Sequence, residues 1–385
     1  METILEQKLN IDKSTWQKVK FGDVVKEPKE SIKDPVSSGV EHVIGLEHII
    51  PEEIHLRKWN TLEDGKTFTK AFKTGDVLFG RRRAYLKKAA QASFNGICSG
   101  DITVFRVKED LLPELLPFIV NNDKFFDYAV KHSAGGLSPR VKFKDLANYE
   151  FLLPPKDQQA QLAELLWAMD EVIERDTHTL AGLRIQRQAE EKNEFSHTLN
   201  AKLRDVVTKT LSGGTPNTKK SVYYKNGTIP WITSKILSGD RIALGEKKIS
   251  RQAVAESAAK ILIKGNIVAG TRVGVGKFSI NDVDISFSQD ITGLEVNNEF
   301  VDVEFLIHQL NSFLFQSRIK PFLRGTTIKG ITKDDLLALK IYLPELEEQH
   351  RIKMEIQTVK ESIQNIMIKI ESSKSLQKSL IHQIF

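Results

Sequence analysis

The chain contains the same pattern twice. FKTGDVLFGRR at residues 72–82 aligns, at an offset of 190, with LIKGNIVAGTR at residues 262–272, so that both glycines and one arginine coincide. The same offset aligns the Leu-Pro pairs at 153–154 and 343–344, and SGDI at 99–102 matches SQDI at 288–291 after a slip of one residue. A duplicated chain of 385 residues predicts two similar domains, each with its own core.

A long helix is predicted after each of these Leu-Pro pairs. In the second copy, apolar residues recur at alternating spacings of four and three, which is the stripe of a coiled-coil seam: Ile352, Ile356, Val359, Ile363, Ile366 and Ile370. The equivalent positions of the first copy are Leu162, Leu166, Met169, Ile173, Asp176 and Leu180. One such stripe alone often packs on its own domain, but two in register predict an antiparallel coiled coil with Asp176 as its polar position.

The segments before the helices have the composition of mixed α+β domains. Short runs rich in Val, Ile and Phe, separated by Gly, Pro and Asn, predict strands at 76–79, 101–107, 265–269 and 338–343. Helices are expected within them at 111–130 and 303–315. We therefore predict target domains at 1–153 and 200–343, with long spacer helices at 154–199 and 344–385.

Positive charge is concentrated in the domains and not in the helices. Residues 200–343 contain 21 Lys and Arg against 13 Asp and Glu, whereas 154–199 contain five basic and nine acidic residues. A basic domain surface is expected of a protein that displaces counterions from nucleic-acid phosphates.

Two loops of the first domain carry side chains suited to DNA. Arginine can bond guanine O6 and N7 in the major groove, while lysine acts mainly as a point charge on phosphate. The loop after the first matched strand and the loop before the closing strand provide these candidates: Arg81, Arg82, Arg83, Tyr85, Lys87, Lys88, Ser138, Arg140 and Lys142. A solvated charged loop is the alternative interpretation of the first of them.

The second domain has loops at the equivalent places and one more. Glycines around Arg272 allow the backbone to approach a ligand closely, and SGGTPNTKK at 212–220 is a hydroxyl-rich turn suited to phosphate oxygens. The candidates here are Ser212, Thr215, Lys219, Thr271, Arg272, Lys277, Thr326, Thr327 and Lys329.

Taken in order, these segments resemble the specificity subunit of type I restriction-modification systems. SGGTPNTKKSVYYKNGTIPWI, GNIVAGTRVGVGKF, FSQDI, GTTIKGI and LPELEEQHRI are similar to a target recognition domain and the helix that follows it. The first half keeps TGDVLFGRRRAYLKKAA, SGDITVFR and LPPKDQQAQL but has no GGTP loop and no IPW, with VIGLE at 43–47 near the place of IPWI. Two unlike readers imply an asymmetric recognition sequence.

The resemblance implies a mechanism and partners. Each domain would read one half of a bipartite site in duplex DNA, and the helix pair would hold the readers a fixed distance apart. The helices would dock two copies of a methyltransferase subunit, and a restriction subunit would join them. S-adenosylmethionine, ATP and Mg²⁺ would bind those partners only, so that this chain has no cofactor and no metal of its own.

No catalytic motif supports an enzyme. Gly270 to Lys277 has five residues between its outer glycines and ends in Phe278, which departs from a phosphate-binding loop, and the nine His lack metal-ligand spacing. We therefore expect a non-catalytic subunit. Two alternatives stay open: the specificity subunit of a type IIB/IIG-like enzyme, and a coiled-coil scaffold without DNA binding.

The remaining composition is that of an ordinary intracellular protein. No run of eighteen apolar residues and no signal-peptide core occur, so we expect a cytoplasmic location. Cys98 is the only cysteine, which excludes an internal disulfide, and we expect it to be buried.

Overall fold

The computed structural model describes residues 11–63, 67–237, 239–325 and 329–385. It divides into two compact units. The first consists of the chain up to Thr177 together with Ile368–Phe385, and the second is His178–Met367. The division therefore falls inside two long helices, and each unit combines one mixed domain with a part of both.

The first unit contains nine strands within its described residues. They are β1 (Gln17–Lys20), β2 (Val25–Lys26), β3 (Val43–Ile44), β4 (Lys70–Phe72), β5 (Val77–Gly80), β6 (Ala89–Gln91), β7 (Gly96–Cys98), β8 (Ile102–Val107) and β9 (Glu150–Leu153). Its helices are α1 (Phe21–Val24), α2 (Leu116–Val120), α3 (Asp123–Lys131), α4 (Phe143–Leu146) and the first part of α5 (Lys156–Phe195).

Two sheets and one strand pair organise the first unit. The strand order is β2-β8-β5-β6 in one sheet and β3-β7-β4 in the other, and β1 pairs with β9. All neighbours are antiparallel except β3 and β7. Aromatic residues from the first sheet and from the helices fill the core, where the Phe79 and Phe105 rings stack at 5.3 Å.

The second unit follows with its own strands and helices. Its strands are β10 (Ala201–Lys202), β11 (Val207–Ser212), β12 (Ile229–Ile232), β13 (Arg241–Ile242), β14 (Lys247–Ile249), β15 (Ile261–Leu262), β16 (Ile267–Gly270), β17 (Phe278–Asn281), β18 (Ile285–Phe287), β19 (Ile291–Val296) and β20 (Lys340–Ile341). Its helices are α6 (Leu203–Val206), α7 (Arg251–Ala255), α8 (Val303–Asn311), α9 (Phe313–Ile319), α10 (Lys333–Ala338) and most of α11 (Leu346–Ile384).

The sheets of the second unit repeat those of the first with additions. The order β11-β19-β16-β17-β13 contains the equivalents of β2-β8-β5-β6, and β14-β12-β18-β15 contains those of β3-β7-β4. β12 pairs in parallel with β18, as β3 does with β7. Phe79 pairs with Thr103, and Ala269 with Thr292, which reproduces the one-residue slip seen in the sequence. The predicted mixed architecture with two similar domains is confirmed.

The segments predicted to be helical at 111–130 and 303–315 are helical, but each is divided into two helices. The side chain of Asn122 accepts a hydrogen bond from the backbone N–H of Lys124 and starts α3, separate from α2. The Ser312 side chain likewise caps α9 by accepting from Phe315 N–H. A capping residue after each first helix satisfies the free N–H groups of a second one, so the chain turns where its periodicity alone suggests continuity.

The long helices occur where they are predicted, within a few residues. Every predicted stripe residue is buried or half-buried. Part of the stripe belongs to the domain cores: Leu166 lies in that of the first unit, and Ile352 and Ile356 lie in that of the second. Ile173, Val359 and Ile363 are buried outside those clusters.

Both long helices contribute to each unit, and polar contacts join them there. In the first unit Gln377 donates to the Leu166 carbonyl at 3.3 Å. Asp176 is only 4 % exposed and forms an ion pair with Lys369 at 3.0 Å. In the second unit Arg351 pairs with Glu194 at 2.9 Å.

A hydrogen bond between ionisable side chains attaches each domain to a long helix. In the first unit His55 Nε2 lies 2.7 Å from the carboxylate of Asp170 on α5. In the second unit Asp240 pairs with Lys360 of α11. Position 360 is equivalent to position 170 at the 190-residue offset, so the two attachments are alike in place and opposite in polarity.

Two simpler expectations concern the whole chain. Cys98 is buried, and desolvation raises the pKa of its thiol to about 12, so it stays protonated and unreactive. Among the described residues no helix is both long enough and apolar enough to cross a bilayer.

Candidate nucleic-acid interface

The two basic loops of the first unit lie side by side. Backbone hydrogen bonds join them: Arg83 N–H donates to the Pro139 carbonyl at 2.8 Å, and Val141 N–H to the Arg81 carbonyl at 3.0 Å. Arg81 N–H donates in turn to the carbonyl of Asp101, the residue before β8. Segments that are about 60 residues apart in sequence therefore form one surface.

The carboxylate of Asp101 connects the arginines of these loops. Arg140 Nε donates to Oδ1 at 2.7 Å, and Arg82 Nη1 to Oδ2 at 3.2 Å. Ser138 Oγ accepts from Arg82 at 3.1 Å and from Arg83 at 3.4 Å. Burial raises the pKa of Asp101, but the hydrogen bonds from Arg140 and Arg82 outweigh it and hold that pKa below its usual value. The carboxylate is ionised at neutral pH, and the cluster is net positive.

The first of these loops has a constrained backbone. Arg83 and Lys87 adopt left-handed conformations, with φ of 55° and 50°, which are unfavourable for side chains with a Cβ. Between them Tyr85 is 55 % exposed. Strained backbone of this kind is more common at functional sites than elsewhere, which favours a binding role for the loop.

The predicted lysines of this loop are engaged by the protein. Lys87 Nζ lies 2.6 Å from Asp123, whose carboxylate raises the pKa of Lys87, and 3.5 Å from Glu52. Lys88 donates to the Leu46 carbonyl at 2.7 Å. Lys142 is exposed at the start of α4. Of these three lysines, Lys142 is therefore the one best placed for phosphate.

The second unit builds the same backbone arrangement. Thr271 N–H donates to the Asp290 carbonyl at 2.9 Å, and Ile331 N–H to the Thr271 carbonyl at 2.9 Å. These bonds repeat those made by Arg81, Asp101 and Val141 in the first unit. The sequence repeat therefore corresponds to a repeated site.

Glycines shape the loop of the second unit. Gly274 and Gly276 have φ of 67° and 86°, in the region that only glycine adopts without strain. A Cβ on Gly270 would lie 2.3 Å from the Gly274 carbonyl oxygen, so the turn closes only without one. Lys277 then returns to bond Gly270 N–H through its carbonyl at 2.9 Å.

The predicted side chains of this loop differ in exposure. Arg272, Lys277 and Lys329 are exposed. Thr271 is buried, and its hydroxyl lies 3.1 Å from that of Thr292, so it supports the loop from inside. Thr326 and Thr327 lie outside the described residues.

The hydroxyl-rich turn follows β11 of the same unit. Ser212, Thr215 and Lys219 are exposed. The Thr215 hydroxyl donates to Gln289 at 2.8 Å, which joins this turn to the segment just before Asp290. The turn therefore adds exposed donors and a cation next to the loop of Arg272.

One group of side chains in the first unit has the composition of a metal site. Ligand atoms of Glu53, His55 and Glu174 lie within 4.8 Å of one another. Asp170 already bonds His55, and Arg57 pairs with Glu174. Glu53 accepts a hydrogen bond from the backbone N–H of His55 at 3.4 Å. Protein partners thus engage all three residues, and the group forms part of the attachment of the domain to α5.

Sequence reasoning did not single out Asp101 and Asp290 as site residues. The signal was present, because SGDI and SQDI match between the copies. Their carbonyls are at the centre of both sites. Among the residues that the structure describes, the Asp101 side chain bonds arginines and that of Asp290 does not.

The duplicated fold with a basic two-loop surface on each domain defines a class, DNA specificity proteins of restriction systems. The family model for the type I restriction modification DNA specificity domain matches residues 13–183 and 199–372. The chain belongs to this family, and the resemblance inferred from the sequence is confirmed.

Individual specificity subunits are also similar to this chain. The chain is 29% identical over 154 residues to the type I restriction enzyme MjaIX specificity subunit of Methanocaldococcus jannaschii, covering 39% of this chain but only 35% of that protein. It is 23% identical over 404 residues to the putative MjaX specificity subunit of the same organism, covering 95% and 89%. A solved chain from work on assembly and conformational transition of the type I R-M system has a TM-score of 0.60 at 22% identity, covering 96% of both chains.

Proposed function

We propose that this chain is the DNA-specificity subunit of a type I restriction-modification complex, reading a bipartite, asymmetric site in duplex DNA. The observation that carries the proposal is the repeated site: both units use the same backbone bonds to present a basic loop, yet the side chains on the two loops differ. Repeated backbone explains two half-sites, and different side chains explain why their sequences differ.

In this proposal α5 and α11 form an antiparallel coiled coil that sets the distance between the readers. Contacts within the first unit support antiparallel pairing. Leu166 of α5 contacts Gln377 of α11, whereas Asp176, further along α5, contacts Lys369, which is earlier on α11. The burial of Ile173, Val359 and Ile363 outside the domain cores supports it as well.

The same helices would dock two methyltransferase subunits, with a restriction subunit joining them. Both helices carry exposed apolar side chains that such docking would cover: Leu165, Ile185, Met354, Met367 and Ile368. S-adenosylmethionine, ATP and Mg²⁺ would bind those partners, and this chain would act in the cytoplasm without catalysis of its own.

Salt dependence tests the DNA proposal. We expect the purified full-length chain to bind duplex DNA with an affinity that falls by about 10³-fold or more between 50 mM and 200 mM salt, because binding releases counterions from phosphates. Fluorescence anisotropy with a labelled duplex measures it. Equal affinity at both salt concentrations would contradict a DNA-binding role and favour a scaffold.

Arg272→Ala tests whether the readers act separately. We expect relaxed base preference in one half-site only, since Arg272 belongs to the second unit. The bases preferred at each position are measured by selection from a random duplex library. Arg324→Ala is the control, because Arg324 is also exposed in this unit but pairs with Asp335 at 2.9 Å. Simultaneous loss of both half-sites in Arg272→Ala would show that the readers do not act independently.

A further inference from the structure

The arginines of the first unit differ in how many donors they have left. Arg82 uses Nη1 on Asp101 and Nη2 on Ser138, and its Nε is buried. Arg140 uses only Nε, on Asp101. Within the described part of the chain both Nη atoms of Arg140 lack a partner, and its side chain is 45 % exposed. The Arg82 guanidinium is thus bonded within the protein at both Nη atoms, whereas Arg140 presents the end of its guanidinium to solvent.

Asp101 fixes the direction of that free end. Its backbone is anchored directly before β8, and its N–H donates to Ser99 Oγ at 3.2 Å. Its Oδ1 holds Arg140, and its other oxygen is held by Arg82. A guanidinium bonded through Nε keeps Nη1 and Nη2 together as two parallel donors, which matches the spacing of guanine O6 and N7.

We propose that Arg140 is a specificity-determining residue of the first reader, bonding one guanine through Nη1 and Nη2, and that Asp101 is its positioning residue. This inference rests on the proposed DNA-reading function. It assigns a G·C pair to the first half-site and gives Arg82 a supporting role.

In the second unit the arginine with free donors lies on the other loop. Arg140 N–H and carbonyl bridge to Ala134, and Gly330 makes the equivalent bridge to Arg324, so a glycine stands where the first unit has Arg140. Arg272 stands where the first unit has Arg82. Among the described residues neither the Arg272 guanidinium nor the Asp290 carboxylate has a hydrogen-bond partner. The second reader therefore presents a free arginine that no carboxylate orients.

Three variants of the full-length chain test this, and each is used beside wild type to select bound sequences from a random duplex library. Arg140→Lys keeps the charge but removes the paired donors, and it should lower the preference for guanine at one position of one half-site by about 10-fold to 100-fold. Asp101→Asn should weaken the preference at the same position. Arg272→Lys should affect the other half-site only.

The variants also separate positioning from charge. Asp101→Asn removes a negative charge, so an electrostatic role alone would raise affinity for all sequences and leave base preference intact. That result, or unchanged preferences in Arg140→Lys, would overturn the inference while leaving DNA reading in place. A wild-type chain that enriches no sequence would instead refute the proposed function. Thermal unfolding of each variant identifies any that fail to fold, and Arg140→Lys and Asp101→Asn provide independent tests.

Discussion

A buried ion pair in the first unit has no counterpart at the equivalent described positions of the second. Asp76 is 2 % exposed and accepts two hydrogen bonds of 2.7 Å from Arg106, which also pairs with Glu30 at 2.5 Å. In the second unit Asn266 stands at the equivalent of Asp76. A buried charge left without its partner is far more costly than a lost neutral hydrogen bond. The two cores should therefore respond differently to the same truncation.

We expect Asp76→Ala to lower the free energy of unfolding by about 3 kcal/mol, because Arg106 keeps only Glu30 in a largely dry site. Asn266→Ala, the matched control, should cost about 1 kcal/mol, since it removes neutral hydrogen bonds to Val296 N–H and other backbone groups. Urea unfolding followed by circular dichroism measures both. Equal losses would show that the ion pair contributes no more than neutral bonds.

At the scale of residues, sequence predicted the loops but not the state of each side chain. The offset of 190 correctly paired the loop of Arg82 with that of Arg272. It could not show that Asp123 and Glu52 neutralise Lys87, because those contacts depend on the tertiary fold. Nor could it show that Thr271 faces inward.

The attachments of the domains to the long helices are the element-scale feature with a functional consequence. The hydrogen bond to Asp170 raises the pKa of His55 above its ordinary value, with Glu174 adding to the effect and burial and Arg57 opposing it. Asp240 and Lys360 form the other attachment, and burial together with Lys360 holds the pKa of the nearby His308 at about 3, so that histidine stays neutral.

His55 predicts a pH-dependent contribution to stability. Because its pKa is raised in the folded state, the stabilisation is fully present below pH 6.5 and is lost as the pH rises through the folded-state pKa. We expect His55→Gln to cost about 1 kcal/mol at pH 5.5 and less at pH 8.5. Unfolding of wild type and variant across this range measures it.

Asp170→Asn is the control for this prediction. It should show the same pH trend, and the double variant should be no less stable than the worse single one, since both remove one interaction. A loss for His55→Gln that does not vary with pH would mean that the imidazole acts by packing alone.

Helices were easier to predict than strands. The heptad stripe predicted the helices α5 and α11 because it repeats over 19 positions in each copy. In contrast, β20 has only two residues where an apolar run suggested six. The short strands depend on partners far away in the chain. The helices break at Asn122 and Ser312 because these side chains cap the helix that follows. The spacing of apolar residues carries no information about such caps.

At the scale of the whole molecule, the proposed helix pair predicts a spacing rule. Seven residues inserted into both α5, after Thr177, and α11, after Met367, add two turns and keep the stripe in register. We expect the distance between the half-sites to increase while the bases within each stay the same, as read by random-library selection. Altered half-sites at unchanged spacing would contradict the proposal that the helix pair sets the distance between the readers.

The opposite polarity of the two domain attachments restricts recombination between the halves. If the second domain were grafted onto the helix segment of the first, the carboxylate of Asp240 would meet that of Asp170. The reverse graft would bring His55 against Lys360. The first chimera juxtaposes two carboxylates. In the second, Lys360 would favour the neutral imidazole, as it does for His308, so its ion pair with Asp240 would be lost without a replacement. New combinations of recognition domains should therefore assemble well only when each arrives with its own stretch of helix.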